Sequence, residues 1–342
     1  MSTQLSLSVI CLSLILAACG SPAELREDAY GPAAFEPFEG GPVASVSRTP
    51  IFNVDVTEDV VYAQGQTHAA FGGPVSGTMD LLLDVYTPER TTDAPLPAVV
   101  IIHGGGFTGG SKTADAFVNL SMDFASRGFV AFSIDYRVSG DMGTLPPDYP
   151  SPTEPVSEKE ESQSNALYPA CRDAKAAVRW VRANAEEYNI NTEHLTAIGG
   201  SAGSYLALAL GTIDEDDCKT EVSEEDDPTL ASTHLEQRSD VATVIDHWGG
   251  TAIHQMLELM DGQSRFDATD APLSIVHGTA DATCPFEEAE AIQAAYIEND
   301  INHAWYPVVN GEHGMWEVVL DGRTLTGLAF DFIVAHQTLT VQ

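Results

Sequence analysis

Positive charge is scarce in this chain of 342 residues: 15 Lys and Arg stand against 51 Asp and Glu, a formal net charge of -36. Such a surface repels nucleic-acid phosphates and anionic headgroups, so a nucleic-acid partner and charge-driven membrane docking are both excluded. It instead predicts a strongly hydrated, soluble exterior. Cysteine is also sparse. There are five, with no Cys-x-x-Cys pair and no Cys/His cluster, so a zinc or other metal centre is not expected. No internal repeat occurs, and no Gly-x-x-x-x-Gly-Lys-Ser/Thr phosphate loop. Beyond the first residues there is no apolar run long enough to span a bilayer, which takes about 20 residues. What remains is ample: 44% of residues are hydrophobic, enough for a large core.

The first apolar run, Leu5 to Ala18, reads as an export signal over residues 1–18. It ends in "LAAC", which resembles the lipobox of bacterial lipoproteins. That resemblance implies lipidation of Cys19, an N-terminal anchor, and an outer-membrane location. The alternative is an ordinary cleaved signal, with the protein periplasmic or secreted. Residues 19–50 are rich in Ala, Pro, Gly and Glu without periodicity and are expected to form a tether. An oxidising compartment would allow one disulfide among Cys171, Cys218 and Cys284, with no pair favoured.

From residue 51 to 342 strands and helices alternate. "NVDVTEDVVYA" and "MDLLLDVYTP" read as a leading antiparallel pair. "PAVVIIH", "FVAFSIDYR", "LTAIGG", "VATVIDHWGG", "PLSIVHG" and "HAWYPVV" read as later strands. Helices are expected near 113–127, 170–188, after Ser201, near 285–297 and from about Met315. In the second of these, Ala174, Ala177, Val178 and Val181 share one face, while Arg172, Lys175, Arg179 and Arg182 lie largely on the other. The fold class is therefore α/β, a mostly parallel sheet covered on both faces. Residues 138–168 and 212–239 are expected to be solvated loops long enough to rim a site.

The chemistry centres on "TAIGGSAGSYLALAL". Ser201 stands in Gly199-Gly200-Ser201-Ala202-Gly203, between a strand and a helix. A serine hydroxyl is a weak nucleophile, and this pattern holds it on a sharp, exposed turn at a helix N-terminus. A base, an acid to orient it and oxyanion donors must then come from elsewhere. "HGGGFTGGS" follows a buried strand and offers amides at Gly105 and Gly106, to join that of Ala202. The same loop also fits Gly-x-Gly-x-x-Gly from Gly104 to Gly109, with Asp135 as a ribose-binding acid, but a dinucleotide site leaves the serine turn unexplained. "HGTAD" offers Asp281 and "GEHG" offers His313, each after a later strand. Asp246, in "IDHWGG", is a rival acid, and His247 a rival site-lining residue. His277 and His303 are expected to be structural.

Together "HGGGF", "DYR", "DAKAAVRWVRANAEEYNIN", "GGSAGS", "HGTAD" and "GEHG" resemble an α/β-hydrolase of the esterase and lipase superfamily, near bacterial carboxylesterases with an HGGG oxyanion loop. The resemblance covers roughly residues 80 to 335 and implies an eight-stranded sheet with its first pair antiparallel. Departures are Ser204, where many relatives carry glycine, and Cys284, where a β-branched residue is usual. The implied activity is carboxylic-ester hydrolysis through Ser201, His313 and Asp281, without metal or cofactor. The implied substrate is a small or carbohydrate-linked ester. Alternatives are an exopeptidase of the same superfamily, for whose usual extra propeller this chain has no room, and a non-catalytic binding module on the same fold.

Overall fold

The computed structural model describes residues 38–150 and 156–342. The expected export signal, Cys19 and most of the expected tether lie outside the described residues. The central sheet has eight strands in the order β1-β2-β4-β3-β5-β6-β7-β8. In chain order they are β1 (Val54–His68), β2 (Val75–Pro88), β3 (Leu96–Ile102), β4 (Val130–Ile134), β5 (Ile190–Gly200), β6 (Thr243–His247), β7 (Leu273–Gly278) and β8 (His303–Val308). β1 pairs antiparallel with β2, and β2 antiparallel with β4. All later pairings are parallel. Every residue of β3, β4, β6 and β7 is buried, which explains their continuous apolar sequences: both faces are covered.

The helices are α1 (Asp115–Ser126), α2 (Glu158–Ala183), α3 (Ala202–Thr212), α4 (Ala252–Asp261), α5 (Phe286–Glu298) and α6 (Leu325–His336). Strand β3 shows how the layers divide. Ala98, Val100 and Ile102 pack with α2 and α3, while Val99 and Ile101 pack against α1 and α6, the two-residue alternation of a pleated strand. Among the described residues no helix is long and apolar enough to cross a membrane.

Four expectations need correction. α2 starts at Glu158 rather than 170, so residues 158–168 of the expected 138–168 loop are helix, capped by Ser157 and Glu160. Its cations do not face solvent. Lys175 donates to the carbonyls of Asp214, Glu215 and Asp217 at 2.7, 3.0 and 2.7 Å. Arg172 reaches Asp227 at 3.3 Å, and Arg179 donates to the carbonyl of Thr233 at 2.8 Å. The 212–239 segment stays largely loop with many exposed residues, as expected, but α2 holds it down from beneath. The last helix begins at Leu325, because residues 319–324 form a two-stranded hairpin, β9 (Val319–Leu320) with β10 (Arg323–Thr324). Packing also begins before residue 51: Val46 is fully buried, its amide bonds the carbonyl of Thr340, and its own carbonyl accepts from Gln342.

Candidate active site

Strand β5 runs into Ser201 and α3 with no intervening loop. The turn is strained. Ser201 has φ 55° and ψ −127°, a region that non-glycine residues rarely adopt. Small neighbours are a steric necessity here. A Cβ on Gly203 would lie 2.1 Å from the carbonyl oxygen of Ile102, and one on Gly104 would lie 2.7 Å from that of Gly200. The serine turn and the glycine loop after β3 are thus packed backbone to backbone. The amide of Ser201 is fixed by the carbonyl of His247 at 2.9 Å.

The loops after β7 and β8 are tied together. Thr279 donates its amide to Val308, and Ala280 donates its amide to Gly311, each at 2.9 Å. The amide of Asn310 donates to the Thr279 hydroxyl, also at 2.9 Å. This pairing places Asp281 beside His313. His313 Nδ1 lies 2.7 Å from Asp281 Oδ2, and its Nε2 lies 2.9 Å from Ser201 Oγ. An ionised carboxylate only accepts, so Nδ1 carries the proton and Nε2 accepts from the serine hydroxyl. The other carboxylate oxygen, Oδ1, takes the amides of Thr283 and Cys284 at 2.8 and 2.9 Å. Three donors and complete side-chain burial hold Asp281 in one orientation.

The glycine loop is pinned as well. His103 Nδ1 is 2.7 Å from the carbonyl of Gly104, and Tyr136 stacks on the His103 ring at 4.3 Å while its hydroxyl donates to the His103 carbonyl. Burial pushes the His103 imidazole down from its ordinary value, so it stays neutral. Gln163, from α2, donates to the carbonyl of Gly106 at 2.7 Å. That bond fixes the peptide planes of the loop. The amide of Ala202, in the first turn of α3, has no intrahelical acceptor.

These groups open onto a cleft of about 520 Å³, lined by Gly104, Gly105, Gly106, Ser201, His313 and Trp316 among others. Trp316 forms an aromatic wall with Phe117 and Trp248, at ring distances of 5.3 and 4.9 Å. A larger cavity of about 600 Å³ lies at the opposite ends of the strands, near Ala242, Pro272 and Asn302, and contains none of these groups. The cleft is the one with reactive chemistry in it.

Such a site can pass a proton from Ser201 to His313 while Asp281 steadies the ring. Similarity to known proteins points the same way. The BD-FAE family profile matches residues 83–147 and 159–265, together half of the chain. The chain belongs to the BD-FAE family. A propionate-bound esterase of the Planctomycetes species Thermogutta terrifontis superposes with a TM-score of 0.56 at 25% identity, covering 76% of this chain and 91% of that one. Esterase 2 of the same organism, phosphorylated by paraoxon, gives 0.58 at 24% identity, covering 84% and 95%. Esterase LipC of Mycobacterium tuberculosis is 24% identical over 227 residues, 61% of this chain and 50% of LipC. A fumonisin B1 esterase of Sphingopyxis macrogoltabida is 29% identical over 144 residues, 42% of this chain and 24% of that enzyme. The matches span half or less of these curated relatives.

For this BD-FAE chain the structure brings Ser201, His313 and Asp281 together and sets the rivals aside. Asp246 is turned elsewhere: its Oδ1 accepts from the Gly249 amide at 2.7 Å, the Ser204 hydroxyl also acts on it, and its Oδ2 is buried with no hydrogen bond of good geometry among the described residues. His247 is buried behind Trp316, and burial lowers its imidazole to about 4. Asp135 accepts from the Lys112 amide at 2.7 Å, and α1 starts only at Asp115, so the Gly104–Gly109 loop does not lead into a helix as a dinucleotide loop must. His303 bonds the carbonyl of Ile301 at the sheet edge. Cys171, Cys218 and Cys284 are buried and none is in a disulfide. Among the described residues no group of three or more His, Cys, Asp or Glu is gathered as metal ligands. Gln163, Tyr136 and Trp316 were missed by sequence reasoning. The Ser-x-x-Glu cap at 157–160 was the available signal for the helix that carries Gln163.

Proposed function

We propose that this chain is a serine carboxylesterase. The observation that carries the reading is the unbroken row Ser201–His313–Asp281, with contacts of 2.9 and 2.7 Å. In this reading Ser201 Oγ attacks the ester carbonyl as its proton passes to His313 Nε2. The amides of Gly105, Gly106 and Ala202 receive the oxyanion, each worth about 3 to 4 kcal/mol in comparable sites. His313 then protonates the departing alcohol and later activates the water that frees the acid. No metal or cofactor enters these steps.

The substrate class is a small or carbohydrate-linked ester. The propionate bound to the Thermogutta esterase supports a short acyl group, and the open cleft leaves room for a bulkier alcohol. Export with a lipid on Cys19 belongs to the same reading, on the strength of "LAAC". Cys19→Ser should then release the protein from membranes and abolish palmitate labelling.

The decisive test is Ser201→Ala, assayed on p-nitrophenyl esters beside acetylated and feruloylated sugars, together with a fluorophosphonate probe. The expected loss is about a million-fold, with no labelling. A folded variant that keeps more than a few per cent of the rate rejects the reading.

A further inference from the structure

Behind Asp281 stands a histidine that the ester chemistry does not use. His277, near the end of β7, is completely buried. Its Nε2 lies 2.8 Å from the carbonyl oxygen of Cys284 and 3.5 Å from Oδ2 of Asp281. A carbonyl can only accept, so Nε2 carries the proton. That N–H therefore sits at the back of the same carboxylate oxygen that faces His313. Cys284 joins the two: its amide donates to Asp281 Oδ1 and its carbonyl accepts from His277.

On its other side the His277 ring presents Nδ1, buried and without a hydrogen-bond partner among the described residues. Asp246 stands opposite Ile275 on the adjoining strand, so it shares a face with His277, and the two interact electrostatically. Asp246 Oδ2 is likewise buried and makes no hydrogen bond of good geometry among the described residues, although the nearby Ser204 hydroxyl also acts on this carboxyl. The two atoms are complementary. Desolvation raises the Asp246 carboxyl toward its protonated form, which can donate, while Nδ1 of the Nε2–H tautomer can only accept. Beyond Asp246 and Asp281, the titratable groups facing this row are His313, through Asp281, and Tyr296 of α5, which feels Asp246.

We propose that His277 is a positioning residue for Asp281, turning one carboxylate oxygen toward His313 and tempering its charge, with Asp246 holding the His277 tautomer from behind. This rests on the serine-esterase reading above. Two consequences separate it from mere packing. Removing the N–H leaves Asp281 a stronger partner for a protonated His313, so the acid limb of the kcat/KM profile moves to higher pH. The carboxylate also loses its fixed aim, so kcat falls while KM changes little.

The experiment compares His277→Leu, His277→Gln and His277→Asn in the full chain. The readouts are kcat and KM across pH, and the rate of fluorophosphonate labelling. His277→Leu should lose about 10-fold in kcat, in line with other outer partners of catalytic groups, with the acid limb shifted upward. His277→Gln places an N–H near the Nε2 position and should restore both. His277→Asn places its N–H near Nδ1 and should restore neither. Wild-type behaviour in His277→Leu, or equal losses in Gln and Asn with an unmoved acid limb, overturns the proposal. If His277→Leu does not fold, the contrast between Gln and Asn decides. Asp281→Asn in the same series keeps the two readings apart. If it is harmless, the acid assignment has failed; if it is crippling while the His277 variants are silent, only this proposal has.

Discussion

Two neighbouring strands each end near an aspartate, and the ends are built for opposite purposes. At the end of β7, Asp281 lies on the loop and accepts from two amides and an imidazole. At the end of β6, Asp246 lies within the strand, accepts from the Gly249 amide, and leaves one oxygen buried with no hydrogen bond of good geometry among the described residues. Desolvation raises the Asp246 carboxyl, and desolvation lowers its neighbour His247 to about 4, so burial pushes both groups toward their uncharged forms. One end is furnished to carry a negative charge and the other to avoid any. An acid is qualified by the donors that its following loop supplies, more than by its place at a strand end.

That contrast can be broken in order of expected effect. Asp281→Asn should lower kcat by about 10,000-fold, as loss of the orienting acid does in serine proteases, while Asp246→Asn should cost no more than about 10-fold. Steady-state kinetics on one ester decides it, and the reverse ranking moves the acid role to Asp246. Gly249→Ala comes next. Its Cβ would lie 2.5 Å from Ser204 Cβ and 2.8 Å from Asp246 Oδ1, so overpacking should cost about 1 to 3 kcal/mol in urea unfolding with little change in kcat.

The uncharged end also predicts an acid weakness. His247 is lowered in the fold, so its contribution to stability is complete above its ordinary value of 6.5 and is lost as pH falls toward about 4. His247→Gln should flatten the loss of stability across that window. The smallest effect has the opposite sign. Asp246 is raised in the fold, so its stabilising contribution is present at low pH and disappears as pH rises through that elevated value. The stability of Asp246→Asn relative to the natural chain should therefore climb with pH. A flat difference between the two from pH 4 to about 8 would show that Asp246 titrates alike folded and unfolded.

The parts of the site that sit at strand ends were legible in sequence, because a buried parallel strand is a continuous apolar run and the turn beyond it must use small or reactive residues. Ser201, His313 and Asp281, which the structure brings together, were read that way, as was the glycine loop. Gln163 was not, because its surroundings, Glu158 to Ser164, are almost wholly polar and Pro169 interrupts the helical pattern. Helix α2 nonetheless extends there, with its N-terminus capped by a serine. Nor did amphipathic spacing reveal the task of Arg172, Lys175 and Arg179. Cations on one face usually mean water, but here the partner was a distant acidic segment, whose carbonyls and carboxylates only the folded chain brings near. Asp246 and Asp281 looked equivalent in sequence for a similar reason: hydrogen-bond donors from neighbouring loops are invisible until the loops meet.

Among the described residues six cations, Lys112, Arg137, Arg172, Lys175, Arg179 and Arg265, are buried, taken from a total of only 15 Lys and Arg in the sequence. Seven aspartates, Asp84, Asp173, Asp217, Asp227, Asp246, Asp270 and Asp281, are buried as well, so the outward face keeps the strongly negative balance of the composition. On the esterase reading proposed above, this is a selective field placed ahead of any contact with the cleft. An ester carrying a carboxylate must climb against it, a neutral ester does not feel it, and a cationic ester is drawn in. Added salt should speed hydrolysis of the first, leave the second unchanged and slow the third. By using four of its few positive charges, Arg172, Lys175, Arg179 and Arg265, to fasten an acidic loop, the fold leaves little to offset the acidic exterior that an incoming ester would meet.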